Sequence, residues 1–404
     1  MRSLFARALA LLVLLPAGAG SQTTAFTEAQ VLAQLTPDNP RVRAISAPID
    51  IARADVLAAG RWPNPRVTYD RESVAGVTEH IAKVGQVLPI TGRRALEVSA
   101  ASSVVEAASD RAGDEVRRLR TDVRLLFADL LAAKQREREL TAVRERLQGL
   151  ANVLAKREAA GDAAGFDRLR AEREVLETEA DRAVVAADRA RVLATLNGYL
   201  TTPVPAGGVT AGPVSRAPVP SIDELMARAE QARREFAALR HEIDAASFAV
   251  RAAGRRAIPE PEIVAGTKSS SSGRGDVGSV VSVQVALPLF DRGRPERAMA
   301  AARRRQAEAQ LDVVTAAVRA EVTAWREVVI ERREAADRYR ATATQAADLE
   351  RIAQISYDAG ERGILELLDA YRSASSARVR QAALDVAARQ AELELEFVSG
   401  WEIP

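Results

Sequence analysis

Cysteine is absent from the 404 residues, which excludes disulfides, thiolate metal sites and thiol catalysis. Histidine is nearly absent. His80 and His241 have no second histidine or carboxylate cluster at ligand spacing, so they read as a loop and a helix-surface imidazole rather than a metal site. An excess of one charge sign is also missing. The 57 basic and 55 acidic residues leave a net +2, where a nucleic-acid partner asks for a basic surface. Lysine occurs only at Lys83, Lys134, Lys156 and Lys268, a bias that fits the codon usage of a GC-rich genome. No P-loop, dinucleotide fingerprint or nucleophile elbow occurs, so neither an enzyme nor a cofactor is expected. Beyond the first residues, no apolar run approaches the length of a spanning helix, about 18 residues. If the chain enters a membrane, it does so through strands.

What is present begins with Arg2 and Arg7, the apolar run from Ala8 to Leu15, and the small-x-small site Ala17-Gly18-Ala19. This reads as a secretory signal peptide over residues 1–20. No cysteine follows to carry an acyl anchor, so the expected chain is exported and not lipidated.

The remainder divides into two similar halves. Ile49-Asp50 and Ala58-Ala59-Gly60 recur as Ile243-Asp244 and Ala252-Ala253-Gly254, displaced by 194 residues. Leu88-Pro89 and Ala160-Gly161 recur as Leu287-Pro288 and Ala359-Gly360, displaced by 199. Self-similarity on this scale predicts a tandem structural repeat, 21–200 and 221–404. The two halves are joined by a Pro/Gly-rich linker at 201–220. Ser221-x-x-Glu224 reads as a capping box opening the second copy.

Each copy reads as helix, strand, strand, long helix, helix. Asn39 and Pro40 open a helix that Pro48 is expected to kink. Val281, Val283, Val285 and Leu287 alternate with Ser282, Gln284 and Ala286, the period-two pattern of a lipid-facing barrel strand. The first copy alternates less cleanly, because Gln86 falls on the apolar face. Lys268 to Gly275 reads as a solvated serine-rich loop. From Gly92 and Gly293 helical patterns run on to turns at 161 and 360, and a helix of about 67 residues would be on the order of 100 Å long. Leu140, Val143, Leu147, Leu150 and Leu154, and Val318, Val322, Trp325 and Val329, form narrow coiled-coil seams. Four strands cannot close a membrane barrel, so several chains must pool theirs. The residues alone do not choose how many.

Taken together, Asn39-Pro40, Ala58-Ala-Gly-Arg-Trp-Pro-Asn-Pro65, Gln86-Val-Leu-Pro-Ile-Thr-Gly-Arg-Arg94 and Tyr357-Asp-Ala-Gly-Glu-Arg-Gly-Ile-Leu-Glu-Leu-Leu-Asp-Ala370 resemble the TolC family of outer-membrane efflux proteins. The segment ending in Arg94 is closer to its heavy-metal-efflux branch. The resemblance implies a mainly α fold with a small transmembrane β part. Long helices would form an α-barrel, and each chain would give four strands to the β-barrel of a homotrimer in outer-membrane lipid. It implies a passive conduit from a periplasmic adaptor and inner-membrane pump to the exterior. It places tip turns at Gly161, Gly165, Gly360 and Gly363, and a pore constriction and gate at Asp167, Tyr357, Arg362, Glu366 and Asp369. Asp167 would bond a neighbouring helix, Tyr357 and Arg362 would hold the closed tip, and Glu366 and Asp369 would ring the pore. Acidic residues also favour the first turn of a helix through its dipole, which is the simpler reading of the last two. The rival class is a periplasmic coiled-coil adaptor or scaffold without membrane strands.

Overall fold

The computed structural model describes residues 25–161, 165–205, 208–211, 217–273 and 276–402. The segment read as a signal peptide and part of the 201–220 stretch lie outside these. The chain runs through α1 (Glu28–Leu32), α2 (Pro40–Ala59), β1 (Arg66–Val74), β2 (Val77–Val87), α3 (Arg93–Ala159) and α4 (Gly165–Asn197). It continues through α5 (Ile222–Ala232), α6 (Arg234–Arg255), β3 (Pro261–Ser270), β4 (Val277–Val285), α7 (Arg294–Asp358) and α8 (Ile364–Ser399).

Local chemistry sets the helix starts. The Asn39 side chain accepts from the Arg41 amide at 2.9 Å, with Pro40 in the first turn. Ser221 and Glu224 form the reciprocal capping box of α5, at 3.3 and 3.2 Å. Pro48 lies inside α2, which runs on through it to Ala59.

The four strands form one antiparallel sheet in the order β1-β2-β3-β4. Its register puts Val67 opposite Val84, Val84 opposite Ala265, and Ala265 opposite Val281. One face therefore carries Val67, Tyr69, Val84, Ile263, Val281 and Val283, all exposed. The other carries ion pairs between strands: Lys83 with Asp70 at 2.7 Å, Lys268 with Glu79 at 2.6 Å and Arg66 with Glu262 at 3.7 Å. Gln86 does fall on the apolar face, opposite Ile263. Its amide donates to the carbonyls of Pro63 (3.0 Å) and Val87 (2.9 Å), so it meets that face already hydrogen-bonded. The serine loop is shorter than the sequence suggests. Lys268, Ser269 and Ser270 belong to β3, because the β2 ladder extends to Glu79–Ser270 and the Lys268 ammonium pairs with Glu79.

Away from the sheet the helices stand side by side. Near the strands α2 packs on α3, α3 on α6 and α6 on α7; farther off, α4 packs on α3, α3 on α8 and α8 on α7. Val143, Leu147, Leu150 and Leu154 of the first seam, and Val318, Val322 and Val329 of the second, are buried within one chain, while Leu140 and Trp325 are half-buried. The 201–220 stretch is strapped to the helices where it is described. Val209 is buried and bridges Phe26, its carbonyl accepts from Lys134 Nζ (2.9 Å), and the carbonyls of Ala217 and Pro220 accept from Arg333 (2.6 Å) and Arg326 (3.0 Å).

The outer helices keep apolar side chains exposed: Phe166, Leu169, Leu176 and Val184 on α4, Leu349, Ile352 and Ile355 on α7, and Ile51 and Leu57 on α2.

The register gives a direct test. Val283→Arg is expected to cost roughly 2–4 kcal/mol if it lies at the bilayer midplane, and Ser282→Arg, on the ion-paired face, much less. Yield of heat-resistant oligomer on semi-native gels reads the difference; equal losses would mean the faces are assigned wrongly.

Candidate functional site

At the end of the helices farthest from the sheet, two helical hairpins meet. The α3 chain turns at Gly161 (φ +82°), and α7 turns at Gly360 (φ +76°), a left-handed conformation that glycine adopts without steric cost. After Gly360 the amides of Glu361 and Arg362 both donate to the Ser356 carbonyl, at 2.9 and 3.3 Å, closing the end of α7. The other two glycines play different parts from a left-handed turn. Gly165 opens α4, where a Cβ would come within 2.4 Å of Glu158 Oε1. Gly363 is the extended residue before α8 (φ −83°, ψ 172°). Residues 162–164 of the first turn lie outside the described residues.

A shared apolar cluster joins the hairpins. Leu147, Leu150 and Leu154 of α3 meet Ala171 and Val175 of α4, Ala353 of α7, and Ile364, Leu367 and Leu368 of α8, with Tyr357 and Tyr371 packed alongside. Each fully buried leucine contributes about 1.5–3 kcal/mol, so this cluster is what fixes the α8 first turn. With Ile364, Leu367 and Leu368 turned inward, Glu366 and Asp369, spaced i, i+3, stand exposed on the opposite side.

The expected gate residues are thus gathered at one end of the molecule, but within one chain they do not bond one another. Among the described residues, Glu366, Asp369, Asp167 and the Arg362 guanidinium have no ion-pair partner within 4.0 Å. Tyr357 is half-buried, with the Arg157 guanidinium 6.0 Å from its ring centre. Asp167 is not joined to Tyr357 or Arg362.

Other side chains tie the hairpins together. Arg372 Nε of α8 donates to Glu174 Oε2 of α4 at 2.7 Å, and the same guanidinium lies 3.5 Å from Glu177. Arg173, by hydrogen bonding, holds the Glu177 carboxyl below its usual range, with Arg372 adding its charge. Glu350 of α7 receives Arg146 of α3 and, at 3.0 Å, Arg378 of α8. The Tyr371 hydroxyl donates to Gln354, and burial raises its pKa above the ordinary phenol value. The sequence reading missed these ties because the partners of Arg372 and Glu174 are 198 residues apart, with no local pattern linking them. Among the described residues, no group of three or more histidine or acidic side chains could hold a metal ion, and no helix is long and apolar enough to cross a membrane.

The packing predicts a split between stability and charge. Leu367→Ala should loosen the tip by about 2–5 kcal/mol, seen as faster amide exchange in the first turn of α8. Glu366→Gln with Asp369→Asn should leave that exchange within about 0.5 kcal/mol of the parent.

Comparison with known proteins bears on the whole arrangement. The sequence model of the family described as "Outer membrane efflux protein" matches residues 225–400. A cobalt-zinc-cadmium resistance protein, CzcC of Cupriavidus metallidurans, is 23% identical over 347 residues, 85% of this chain and 82% of that protein. Among solved structures, a membrane protein from Pseudomonas aeruginosa superposes with a TM-score of 0.75 at 19% identity, covering 92% of this chain and 93% of that one. The open state of the MtrE outer membrane channel of Neisseria gonorrhoeae gives 0.74 at 17% identity, covering 92% and 88%. At these identities the superpositions establish the fold, strands included, and the rival reading of an adaptor without membrane strands falls away. The second half of the chain thus carries the sequence pattern of the outer membrane efflux protein family, and nearly its whole length has the fold of such channels.

Proposed function

We propose that three copies of this chain, exported by the N-terminal segment, close a twelve-stranded barrel in the outer membrane and continue it as a hollow helical conduit across the periplasm. The observation that carries this reading is the open row. β1 and β4 end the sheet, and the helix rows end in α2 or α4 on one side and α7 on the other. A row with two different edges repeats head to tail, and a closed ring is its finite solution. The number three comes from the family resemblance. The conduit works passively, supplied by a periplasmic adaptor and an inner-membrane pump. Divalent metal ions are the favoured cargo, in line with the cobalt-zinc-cadmium resistance protein that the chain resembles.

In this reading the tip is a closable constriction. Threefold symmetry brings six carboxylates from Glu366 and Asp369 within one or two helix turns. They repel one another and concentrate cations, an effect screened over about 8–10 Å at physiological salt. Arg362, Tyr357 and Asp167 are then free to bond across to the next chain, each tie at a wetted site contributing about 1 kcal/mol.

Mass measurement of the detergent-extracted chain should give a trimer; a stable monomer in detergent-free buffer would overturn the assembly. In planar bilayers Arg362→Ser or Tyr357→Phe should raise conductance, and Glu366→Gln with Asp369→Asn should lower cation preference. Wild-type conductance and selectivity in all of these variants would leave the carboxylates as residues that merely start a helix.

A further inference from the structure

Where strands become helices, the apolar face does not stop at the last ladder residue. The exposed series Val281, Val283 and Val285 continues past β4 as Leu287 and Leu289, and Phe290 is 99% exposed. In the corresponding loop after β2, Ile90 is exposed, and Trp62 is exposed on the approach to β1. Both loops hold these side chains on the same tight turn. The Ile90 amide donates to the Leu88 carbonyl and the Leu289 amide to the Leu287 carbonyl, each at 2.9 Å. Gln86, on the apolar face of the sheet, donates to the carbonyl of Pro63 at 3.0 Å, which brings the residue after Trp62 beside that face.

Arginines accompany this apolar collar, in two kinds. Arg66, Arg93 and Arg256 are neutralised by Glu262, by Glu260 and Glu97, and by Glu296. Arg61, Arg94 and Arg292 instead donate to the backbone carbonyls of Ala58 (3.4 Å), Gly60 (2.8 Å) and Pro288 (3.2 Å). Among the described residues, none of these three has a carboxylate within 4.0 Å. The Arg94 guanidinium stands 5.1 Å from the centre of the Trp62 indole. Between them lies a cleft of about 390 Å³ lined by Arg61, Trp62, Asn64, Arg93, Arg94 and Glu97.

We propose that this junction binds the phosphate headgroups of anionic glycerophospholipids in the leaflet on the helix side of the barrel. The proposal rests on the barrel reading above, and it adds a lipid class and the residues that select it. Charge and continuity both point to this occupant. Uncompensated guanidiniums keep N–H groups free for phosphate, and the collar prolongs the lipid-facing strand surface into the depth where indole rings settle. Acyl chains would lie along Phe290, Leu289 and Trp62.

Trp62 reports on the site. Trp401 is buried and Trp325 half-buried in the cluster with α5, away from the sheet. The full chain, reconstituted into nanodiscs of mixed phosphatidylglycerol and phosphatidylcholine, is read by fluorescence quenching with bromine carried on one lipid or the other. Brominated phosphatidylglycerol is expected to quench the wild type, and Trp62→Phe to abolish that quenching. Phosphatidylglycerol should be enriched at Trp62 roughly thirtyfold over phosphatidylcholine, the scale that two juxtamembrane arginines give. Arg61→Gln, Arg94→Gln and Arg292→Gln together should bring the ratio near one, and the three lysine substitutions should restore most of it. Equal quenching by both lipids in the wild type overturns the proposal. So does loss of the preference on adding inorganic phosphate at constant ionic strength, which would assign the arginines to a free anion. Failure of the wild type to enter nanodiscs of either lipid would instead remove the barrel reading itself.

Discussion

A backbone N–H or C=O left unpaired in hydrocarbon costs several kcal/mol, and β1 and β4 each present a row of them along one edge of the sheet. The rest of the molecule follows from that requirement. In the proposed barrel those edges are met by another chain, which fixes where the next chain stands. The helices continuing from those strands then face the same neighbour. That is where α4 and α7 keep Phe166, Leu169, Leu176, Leu349, Ile352 and Ile355 in the open. Burying one such side chain is worth about 1.5–3 kcal/mol, so the helical faces add to an association the strand edges already demand.

Within one chain the division of labour is different. The apolar seams of α3 and α7 are narrow, and alanine fills much of what surrounds them. Between the halves run arginine–carboxylate ties: Arg118 grips Glu394 with two bonds at 2.7 and 3.0 Å, and Arg124 joins Glu28 of α1 to Glu396 of α8. These side chains are largely buried, so the cost of desolvating both partners offsets much of their attraction. The seams therefore hold the helices together. The ion pairs, with fixed reach and direction, set how far one long helix can slide along another.

The parts of this architecture legible in the sequence are those with a local period. Alternation marked β4 and the exposed apolar face of Val281 and Val283, steps of three and four marked the buried positions of α3 and α7, and the Ser221–Glu224 spacing marked the start of α5. Features set by a partner far along the chain were not legible. Lys268 to Ser270 read as loop, since only pairing with Glu79 and His80 shows them to be strand. At the tip, the i, i+3 spacing of Glu366 and Asp369 put both on one face, but Arg372 with Glu174 lay beyond any local rule. Arg362 and Asp167 were named through family likeness alone, and among the described residues of one chain neither has an ion-pair partner within 4.0 Å.

The charges along the proposed conduit are unevenly compensated. On the ion-paired face of the sheet, Asp70 and Glu79 are each matched by a lysine on the neighbouring strand, and Glu262 by Arg66, which reaches across Gly85 of β2. Paired at these distances they present dipoles rather than net charge, and a passing ion in a wide, water-filled barrel is screened from them within a Debye length of about 8–10 Å. At the other end, Glu366 and Asp369 stand on the exposed side of a helix turn anchored by Ile364, Leu367 and Leu368. If the chain discriminates by charge, it does so where carboxylates are both unpaired and crowded by symmetry. Selectivity then varies with how far the tip is open, because widening the ring beyond a Debye length frees its centre from the carboxylates' field. In the proposed trimer, the same motion that opens the conduit would weaken its preference for cations.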